Sequence, residues 1–457
     1  MTFSHGAAMA FERVSRLASI PALFLLTILW LVTAGSASAI TLLRDPDIEN
    51  GLEELAFPIL RAAGLNPRRI KLLVVDDSSL NAFVLDHNAI FIHSGLIEKV
   101  QRADVLQAVI AHEAAHIANG HIARRIGNLE NARTLSRLGL GLSLLAAAAG
   151  GGEAAMGIAA GTQSSALRGF LKHTRAEETA ADNSAVSYLR WSDISIKGLI
   201  DLHRTFAGQE LLSVERQDPY MQSHPLTRDR IRSAETYLES YGDQAPANPD
   251  ADYWFARVRG KVSAFSRSSK WTLGRAAEEH HRDIRMMREA IAWHRDRNLA
   301  QARAAIDAAI AERPDDAYYV ELKGQILIEH RQTQAAVATY KQAVDLAPNN
   351  ALILAGYGRA LLGAGQDKAA LEVLERARAR DYRDIRMLRD LAVAYSKTGN
   401  DGMASVVTAE RYALQGRPED ALIHARRAVG ALPTGSPGWQ RAQDVLLASE
   451  RSVKRKR

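Results

Sequence analysis

The 457-residue chain contains no cysteine. That excludes a disulfide scaffold, a thiolate metal site, a cysteine nucleophile and a lipid-modified cysteine anchor. Aromatic residues are also sparse, at 6%, and none of them alternates with basic residues in a cluster, so no nucleic-acid partner is expected. Excess charge is small: the formal net charge is +6, part of it from Lys454-Arg455-Lys456-Arg457. Long apolar runs are scarce, and the strongest is Ile20 to Val32. It follows Arg13 and Arg16 and precedes Ala37-Ser38-Ala39, the order of a basic leader, an apolar stretch and a small-residue cleavage site. Residues 1–39 are therefore expected to be a signal peptide cleaved before Ile40, and the remainder to be exported.

The rest is ordinary globular composition, 47% hydrophobic and 24% charged. The length allows two or three domains with their own cores.

One stretch organises the chain, Val105 to Arg125, with His112-Glu113-Ala114-Ala115-His116 inside it. As a helix it places Val105, Ala108, Val109, His112 and His116 on one face. Two imidazoles one turn apart can grip a single Zn2+ ion, a cofactor expected once per chain. Glu113 then stands beside the metal, where it can take a proton from water the metal has acidified. A two-histidine site lacks a third protein ligand. The extended pattern that would make it a histidine fails in register, because Asn119 and Ile122 occupy the required positions while His121 lies one residue short. Glu178 and Asp182, at i and i+4 on a later helix-forming stretch, offer instead a carboxylate ligand and an aspartate able to hold a ligand histidine from behind. Farther on, His224-Pro225 reads as an extended loop before a helix, close enough in type to reach the metal.

Around this stretch, Leu52, Leu55, Ile59 and Leu60 predict a helix ending near Gly64. Ile70 to Val75, Ala82 to Val84 and Ala89 to Ile92 predict strands, the last two joined through Asp86-His87-Asn88. His87 and His93 read as loop and strand-end residues. An edge strand beside a metal helix can hold a substrate backbone by strand addition, and either Asn81-Ala82-Phe83-Val84 or Ile90 to Ile92 can serve. Leu138 to Gly161 is Gly/Ala-rich and apolar but broken by Gly150-Gly151-Gly152 and Glu153; it predicts a hairpin of short helices that touches the active site, a membrane surface or a partner.

A Pro/Ala/Asn/Asp-rich linker around Tyr241 to Asp252 marks a boundary. Beyond it a period of about 34 residues relates Pro314 to Pro348, Gly324 to Gly358, Ala336 to Ala370, Tyr340 to Leu374 and Ala343 to Ala377. That is the tetratricopeptide spacing. Units are expected at 283–316, 317–350 and 351–384, then a degenerate unit and a last one ending near Pro433. Such units stack into a solenoid with a concave binding surface.

Taken together, the H-E-x-x-H, the E-x-x-x-D helix and the H-P-x-x-x-x-R loop resemble the gluzincins related to the CAAX prenyl protease, and more narrowly the periplasmic BepA-like zinc metallopeptidases with C-terminal tetratricopeptide repeats. Leu43-Arg44-Asp45-Pro46-Asp47-Ile48-Glu49, Asn81-Ala82-Phe83 and Ser94-Gly95-Leu96 extend the match over essentially the whole mature chain. The resemblance implies His112, His116 and Glu178 as zinc ligands, Glu113 as catalytic base and Asp182 behind the ligands. It further implies His224 as a loop histidine that fills the open metal position and holds the enzyme inactive, with Arg230 as its accompanying arginine. Many relatives carry a second acid two residues after the ligand, where this chain has Ala180. Glu177 and Glu178 are thus both candidates, and the spacing to Asp182 favours Glu178.

The expected architecture is mainly α: a signal peptide (1–39), an α+β zincin-type metallopeptidase domain (40–245), a helical linker (246–282), an all-α tetratricopeptide solenoid (283–440) and a basic tail (441–457). The expected function is a periplasmic zinc endopeptidase in envelope quality control, acting on unfolded or misassembled envelope proteins. Its repeats would bind clients or the outer-membrane assembly machinery. The alternative is a chaperone or adaptor whose proteolysis stays latent.

Overall fold

The computed structural model describes residues 41–125, 172–226, 228–242 and 245–456. The expected signal peptide and the expected hairpin at 138–161 lie outside the described residues. Among the described residues no helix is long and apolar enough to cross a membrane.

The peptidase half is built on a four-stranded sheet in the order β1 (Leu42–Leu43), β2 (Lys71–Val75), β4 (Ala89–His93), β3 (Ala82–Asp86). β2 and β4 run parallel, with Leu72 opposite Ile90 and Val74 opposite Ile92. β3 and β4 form an antiparallel hairpin with Phe83 opposite Phe91 and a register shift between Val84 and Asp86. This order decides between the two expected substrate strands. β4 is paired on both sides, so Ile90 to Ile92 cannot accept an added strand; β3, which carries Ala82 and Phe83, is the edge.

Helix α1 (Pro46–Ala62) opens the domain. Asp45 caps it by accepting from the backbone N–H groups of Asp47 and Ile48 at 3.0 and 2.9 Å, and Pro46 sits where no N–H is needed. Leu52, Leu55, Ile59 and Leu60 are buried as the spacing predicts, and Gly64, at φ +71°, ends the helical stretch. α2 (Ser94–Lys99) follows the sheet, and α3 (Ala103–Ala118) carries the H-E-x-x-H. Every residue of α3 from Val105 to His116 is buried, because sheet, α1, α4 (Arg175–Trp191) and α5 (Lys197–Phe206) surround it. Small residues permit that enclosure. A Cβ on Gly198 of α5 would lie 2.2 Å from the Asp104 carbonyl oxygen, so only glycine lets α5 sit this close to the start of α3. α6 (Pro219–Ser223) and α7 (Arg228–Tyr241) complete the half.

The expected linker at 246–282 is α8 (Pro249–Ser266) and α9 (Ser269–Ala276), and α8 packs on α1, α2, α3 and α10 (Arg282–Arg295) at once. Antiparallel pairs follow: α10 with α11 (Leu299–Glu312), α12 (Ala317–Glu329) with α13 (Thr333–Leu346), α14 (Ala351–Gly363) with α15 (Asp367–Arg380), and α16 (Ile385–Lys397) with α17 (Asp401–Leu414). The repeat is visible in the packing. A Cβ on Gly324 would meet the Tyr340 ring at 2.6 Å, and one on Gly358 would meet Leu374 at 2.5 Å. The same contact thus recurs one unit later.

Pro433 follows the cap of α18 (Pro418–Ala431), as Pro314 and Pro348 follow α11 and α13, and Ala409 of α17 packs on Ala421 and Ala425 of α18; α19 (Pro437–Lys456) comes after that proline. One expectation needs correction at the end of the chain. The expected tail from 441 is instead helical through Lys456, because Ala442, Val445 and Ser449 are buried on one face of α19. The basic residues that suggested a solvated tail occupy only its last turn.

The two halves meet through buried charge. Arg257 of α8 lies 2.7 Å from Asp47 and donates to Asp316, which caps α12, at 2.6 and 3.0 Å. Lys261, fully buried, reaches Asp45 at 2.9 Å and Asp47 at 3.4 Å. Arg44 pairs with Asp381 at 2.7 Å, and its carbonyl accepts from Arg386 at 2.7 Å.

Candidate metal centre

Four side chains from three segments converge in the core: His112, His116, Glu178 and His224, each with a ligand atom within 4.8 Å of the others. All are buried. His112 Nε2 is 3.1 Å from His116 Nε2, 3.3 Å from Glu178 Oε2 and 3.3 Å from His224 Nδ1. Glu178 Oε1 is 3.3 Å from His116 Nε2 and 3.1 Å from His224 Nδ1. Tetrahedral donors at zinc–nitrogen bond length stand about 3.3 Å apart. The donor set present therefore fits zinc in both type and spacing.

The local sequence explains which glutamate points inward. Thr174 caps α4 with its hydroxyl on the Glu177 N–H at 3.2 Å, and the Glu177 carboxylate accepts from the Thr174 N–H at 2.9 Å. Glu177 also takes Arg125 at 3.2 Å. That capping box leaves Glu178, one residue later, as the acid on the buried face of α4.

Asp182, one turn on from Glu178, lies 2.9 Å from His112 Nδ1. Arg230 grips the same carboxylate through Nε at 2.6 Å and Nη2 at 2.9 Å, and reaches Glu178 Oε2 at 2.8 Å. Burial would lower the His112 imidazole, but Glu178 and Asp182 outweigh it and push it up to about 10. Burial would likewise raise the Glu178 and Asp182 carboxylates. His224, Arg230 and His112 drive Glu178 well below the ordinary range, while Arg230 and His203 lead the same effect on Asp182. Both acids are thus held ionised, with Arg230 across them, beside the imidazole nitrogens.

Glu113 is buried, and neither of its carboxylate oxygens has a hydrogen-bond partner. Its closest ion-pair approach is to His224 Nε2, at 3.4 Å. Burial pushes its carboxyl above the usual range. An unsatisfied acid costs about 1–3 kcal/mol unless something else is meant to meet it.

The expected substrate strand lies alongside. His224 Nε2 is 3.2 Å from the Ala82 carbonyl oxygen, Ser223 donates to the Asn81 side chain at 3.4 Å, and the Tyr220 N–H donates to the Leu80 carbonyl at 3.0 Å. Phe83 stacks on Phe91 with centroids 5.2 Å apart. His224 thus touches the donor cluster with one ring nitrogen and the β3 edge with the other.

Three more histidines are drawn in that the sequence did not assign. His121 Nδ1 lies 2.8 Å from His116 Nδ1, on the side away from the donor cluster. Gly120, at φ +68°, turns the chain back so that His121 arrives there. The His173 ring lies over His116, centroids 3.7 Å apart, and is 5.1 Å from the His224 ring. His203 Nε2 is 3.4 Å from Asp182 Oδ2. A Gly-His immediately after the helix was the one available signal for His121. His203 carried none, since nothing near it in sequence belongs to the site, and His173, five residues before Glu178, keeps no helical spacing to it because it lies before the α4 cap at Thr174.

A small sheet, a buried helix bearing the donors and a helical-repeat half define the class: a metallopeptidase domain joined to a repeat solenoid. Comparison with known proteins agrees. Residues 42–238 match Peptidase family M48 and residues 327–393 match the Tetratricopeptide repeat. The chain is thus a metalloprotease with an M48 domain followed by tetratricopeptide repeats. It is homologous to the Beta-barrel assembly-enhancing protease of Escherichia coli, 24% identical over 401 residues that cover 86% of this chain and 81% of that protein. The protein of the same name from Yersinia pestis is 23% identical over 393 residues, 83% and 79% of the two chains. Metalloprotease LoiP of Escherichia coli is 24% identical over 181 residues, 39% of this chain and 66% of its own.

Proposed function

We propose that this chain is a periplasmic zinc endopeptidase of envelope protein quality control that cleaves misassembled outer-membrane proteins and is held at rest by His224. The carrying observation is the convergence of His112, His116, Glu178 and His224 within 4.8 Å beside an unpartnered, buried Glu113. That the Escherichia coli relative is a beta-barrel assembly-enhancing protease supports the client class and an outer-membrane assembly machinery as partner of the repeats.

In this reading His112, His116 and Glu178 hold the metal. Zinc, when bound, supplies a Lewis acid that polarises the scissile carbonyl and acidifies water. Glu113 accepts the proton of the attacking water and delivers it to the leaving amine. Asp182 accepts from His112 Nδ1 and so keeps Nε2 facing the metal; His121 does the same for His116. Arg230 fixes Asp182 and Glu178 relative to each other. The client lies along the β3 edge at Asn81, Ala82 and Phe83, its backbone replacing the contacts that Tyr220 and His224 make there. His224 therefore has to leave before a client binds, because it occupies both places.

Glu113→Gln is expected to keep the metal and to stop cleavage of casein altogether. Full activity in that variant would overturn the base assignment.

The position of His224 favours one second reading, a repeat-based adaptor whose proteolysis stays latent. A casein assay of the wild type against His224→Ala separates the two. Digestion that rises in the variant supports a restrained peptidase. No digestion, with metal content confirmed, favours the adaptor.

A further inference from the structure

Away from the metal centre, a cavity of about 450 Å³ opens where α8 passes between the peptidase half and α9–α10. Its walls include Gln101, Arg259, Trp271, Arg275, Glu279 and Arg288. The unusual member is Arg288. It is only 8% exposed, its Nε is buried with no hydrogen-bond partner, and the one carboxylate within ion-pair reach among the described residues, Glu279, stands 3.7 Å from Nη1. Arg259 reaches only neutral acceptors, the Glu98 carbonyl oxygen at 3.3 Å and Gln101 Oε1 at 3.1 Å.

Three of the acids on the wall are paired, two of them with arginines of the same wall. Glu98 is bound by Arg267 and Ser266, both at 2.6 Å, Glu278 by Arg275 at 2.5 Å, and Glu279 faces His281 at 3.2 Å. Asp252 also lies on the wall. Burial lowers the pKa of both Arg259 and Arg288. Like charge adds to this, from Arg275 on Arg259 and from Arg259 and Arg275 on Arg288, with Glu279 opposing. A buried guanidinium whose Nε has no acceptor, with further guanidinium groups on the same wall, is destabilising in itself. A planar oxyanion is the partner that a guanidinium fork fits, with two parallel hydrogen bonds per arginine. The volume falls in the range of small-ligand sites, roughly 300–1,000 Å³. The Trp271 ring, with Arg267 and Arg275 at 5.8 and 5.9 Å from its centroid, offers a flat apolar wall for the rest of the ligand.

We propose that this cavity is a binding site for a small oxyanion-bearing ligand, held by Arg288 and Arg259. The oxyanion is a phosphate or the carboxylate of a peptide end. Arg102, which immediately precedes α3 and pairs with Asp104 in its first turn at 2.8 Å, lines the same cavity. An occupant therefore joins the beginning of the metal helix to the first repeat helices.

The test is thermal unfolding of the full-length protein in sodium phosphate, in pyrophosphate, and with a short peptide bearing a free or an amidated C-terminus. Sodium chloride of equal ionic strength is the reference. Phosphate or the free-acid peptide is expected to raise Tm by several degrees over that reference. A response to phosphate but to neither peptide assigns a phosphate ligand; a response to the acid but not the amide assigns a polypeptide end. Arg288→Met keeps the shape and removes the charge. It is expected to raise the Tm of the ligand-free protein and to abolish the ligand response. Should Arg288→Met not fold, Arg288→Lys is expected to fold and to weaken the response, because the fork is lost. No shift above the chloride reference with any probe, a shift that survives in Arg288→Met, or a lower ligand-free Tm in that variant would overturn the proposal.

Discussion

Asp182→Asn offers the sharpest check on how the metal centre is held. The Asp182 carboxylate accepts on both oxygens: Oδ1 meets His112 Nδ1 at 2.9 Å and Arg230 Nη2 at 2.9 Å, and Oδ2 meets Arg230 Nε at 2.6 Å and His203 at 3.4 Å. An asparagine has one acceptor oxygen and two donor hydrogens in that space. With its oxygen at Oδ1, its NH2 faces the N–H of Arg230. Turned over, it faces His112. A hydrogen bond to a charged group contributes about 1.5–3 kcal/mol, and half of a buried ion pair removed costs about 3–5 kcal/mol. Arg230 retains Glu178 at 2.8 Å, so the low end applies, about 3 kcal/mol of fold stability. Metal affinity is expected to fall about 10–100-fold, as for other residues that orient a ligand imidazole. The assay is zinc competition against a chromogenic chelator at fixed pH, with Glu113→Gln as the control that leaves the donor set intact. Affinity within about threefold of wild type would refute the claim that Asp182 orients His112.

Three further outcomes are expected. Gly198→Ala should destabilise the protein by about 2 kcal/mol or more, because its Cβ meets the Asp104 backbone at 2.2 Å and nothing flexible stands in between; an unchanged Tm would show that α5 moves off α3 freely. Lys261→Met should cost about 3 kcal/mol by leaving Asp45 without its cation, while Asp47 keeps Arg257 at 2.7 Å; denaturant unfolding reads it, and a loss under about 1 kcal/mol would contradict it. His93, at the end of β4, is not one of the clustered donors. Burial pushes its imidazole down to about 4, against Asp77 and Ser79. Between about pH 6.5 and 4 the unfolded chain binds a proton that the folded chain does not, so stability is full above that window and falls as the pH drops through it. The slope is at most about 1.4 kcal/mol per pH unit. Removing the group in His93→Asn should flatten the acid limb of a Tm–pH profile, and an unchanged limb would exclude His93 as its source.

The residues that the sequence analysis assigned to one site do come together: His112 and His116 from α3, Glu178 and Asp182 from α4, and His224 and Arg230 from the α6–α7 segment. They were legible because each pair keeps a helical or fixed loop spacing. His121 was weighed only as a ligand, and it stands instead behind His116. Its place depends on the turn at Gly120, which no periodicity encodes. Which strand forms the sheet edge also could not be read locally, since the crossover that puts β4 between β2 and β3 is a property of the whole sheet. The solenoid period was plain in small residues such as Gly324 and Gly358. The stretch after it was read as a tail because the basic end of α19 has the composition of a solvated segment, while its buried face is set by Ala442 and Val445.

In the sequence, the acids of Asp45-Pro46-Asp47 stand only as part of a segment shared with the family. In the structure they are the rivets of a joint, clamped by Lys261 and Arg257 of a helix that also holds Asp316 of the repeats. Severing the chain between its two halves would strand opposite charges on either side of the cut, each wanting the other. Blade and handle are therefore one casting: an isolated peptidase piece or an isolated solenoid should be soft and protease-sensitive at that seam, and a chimera that grafts one half onto a relative's other half will hold only if those ions travel together.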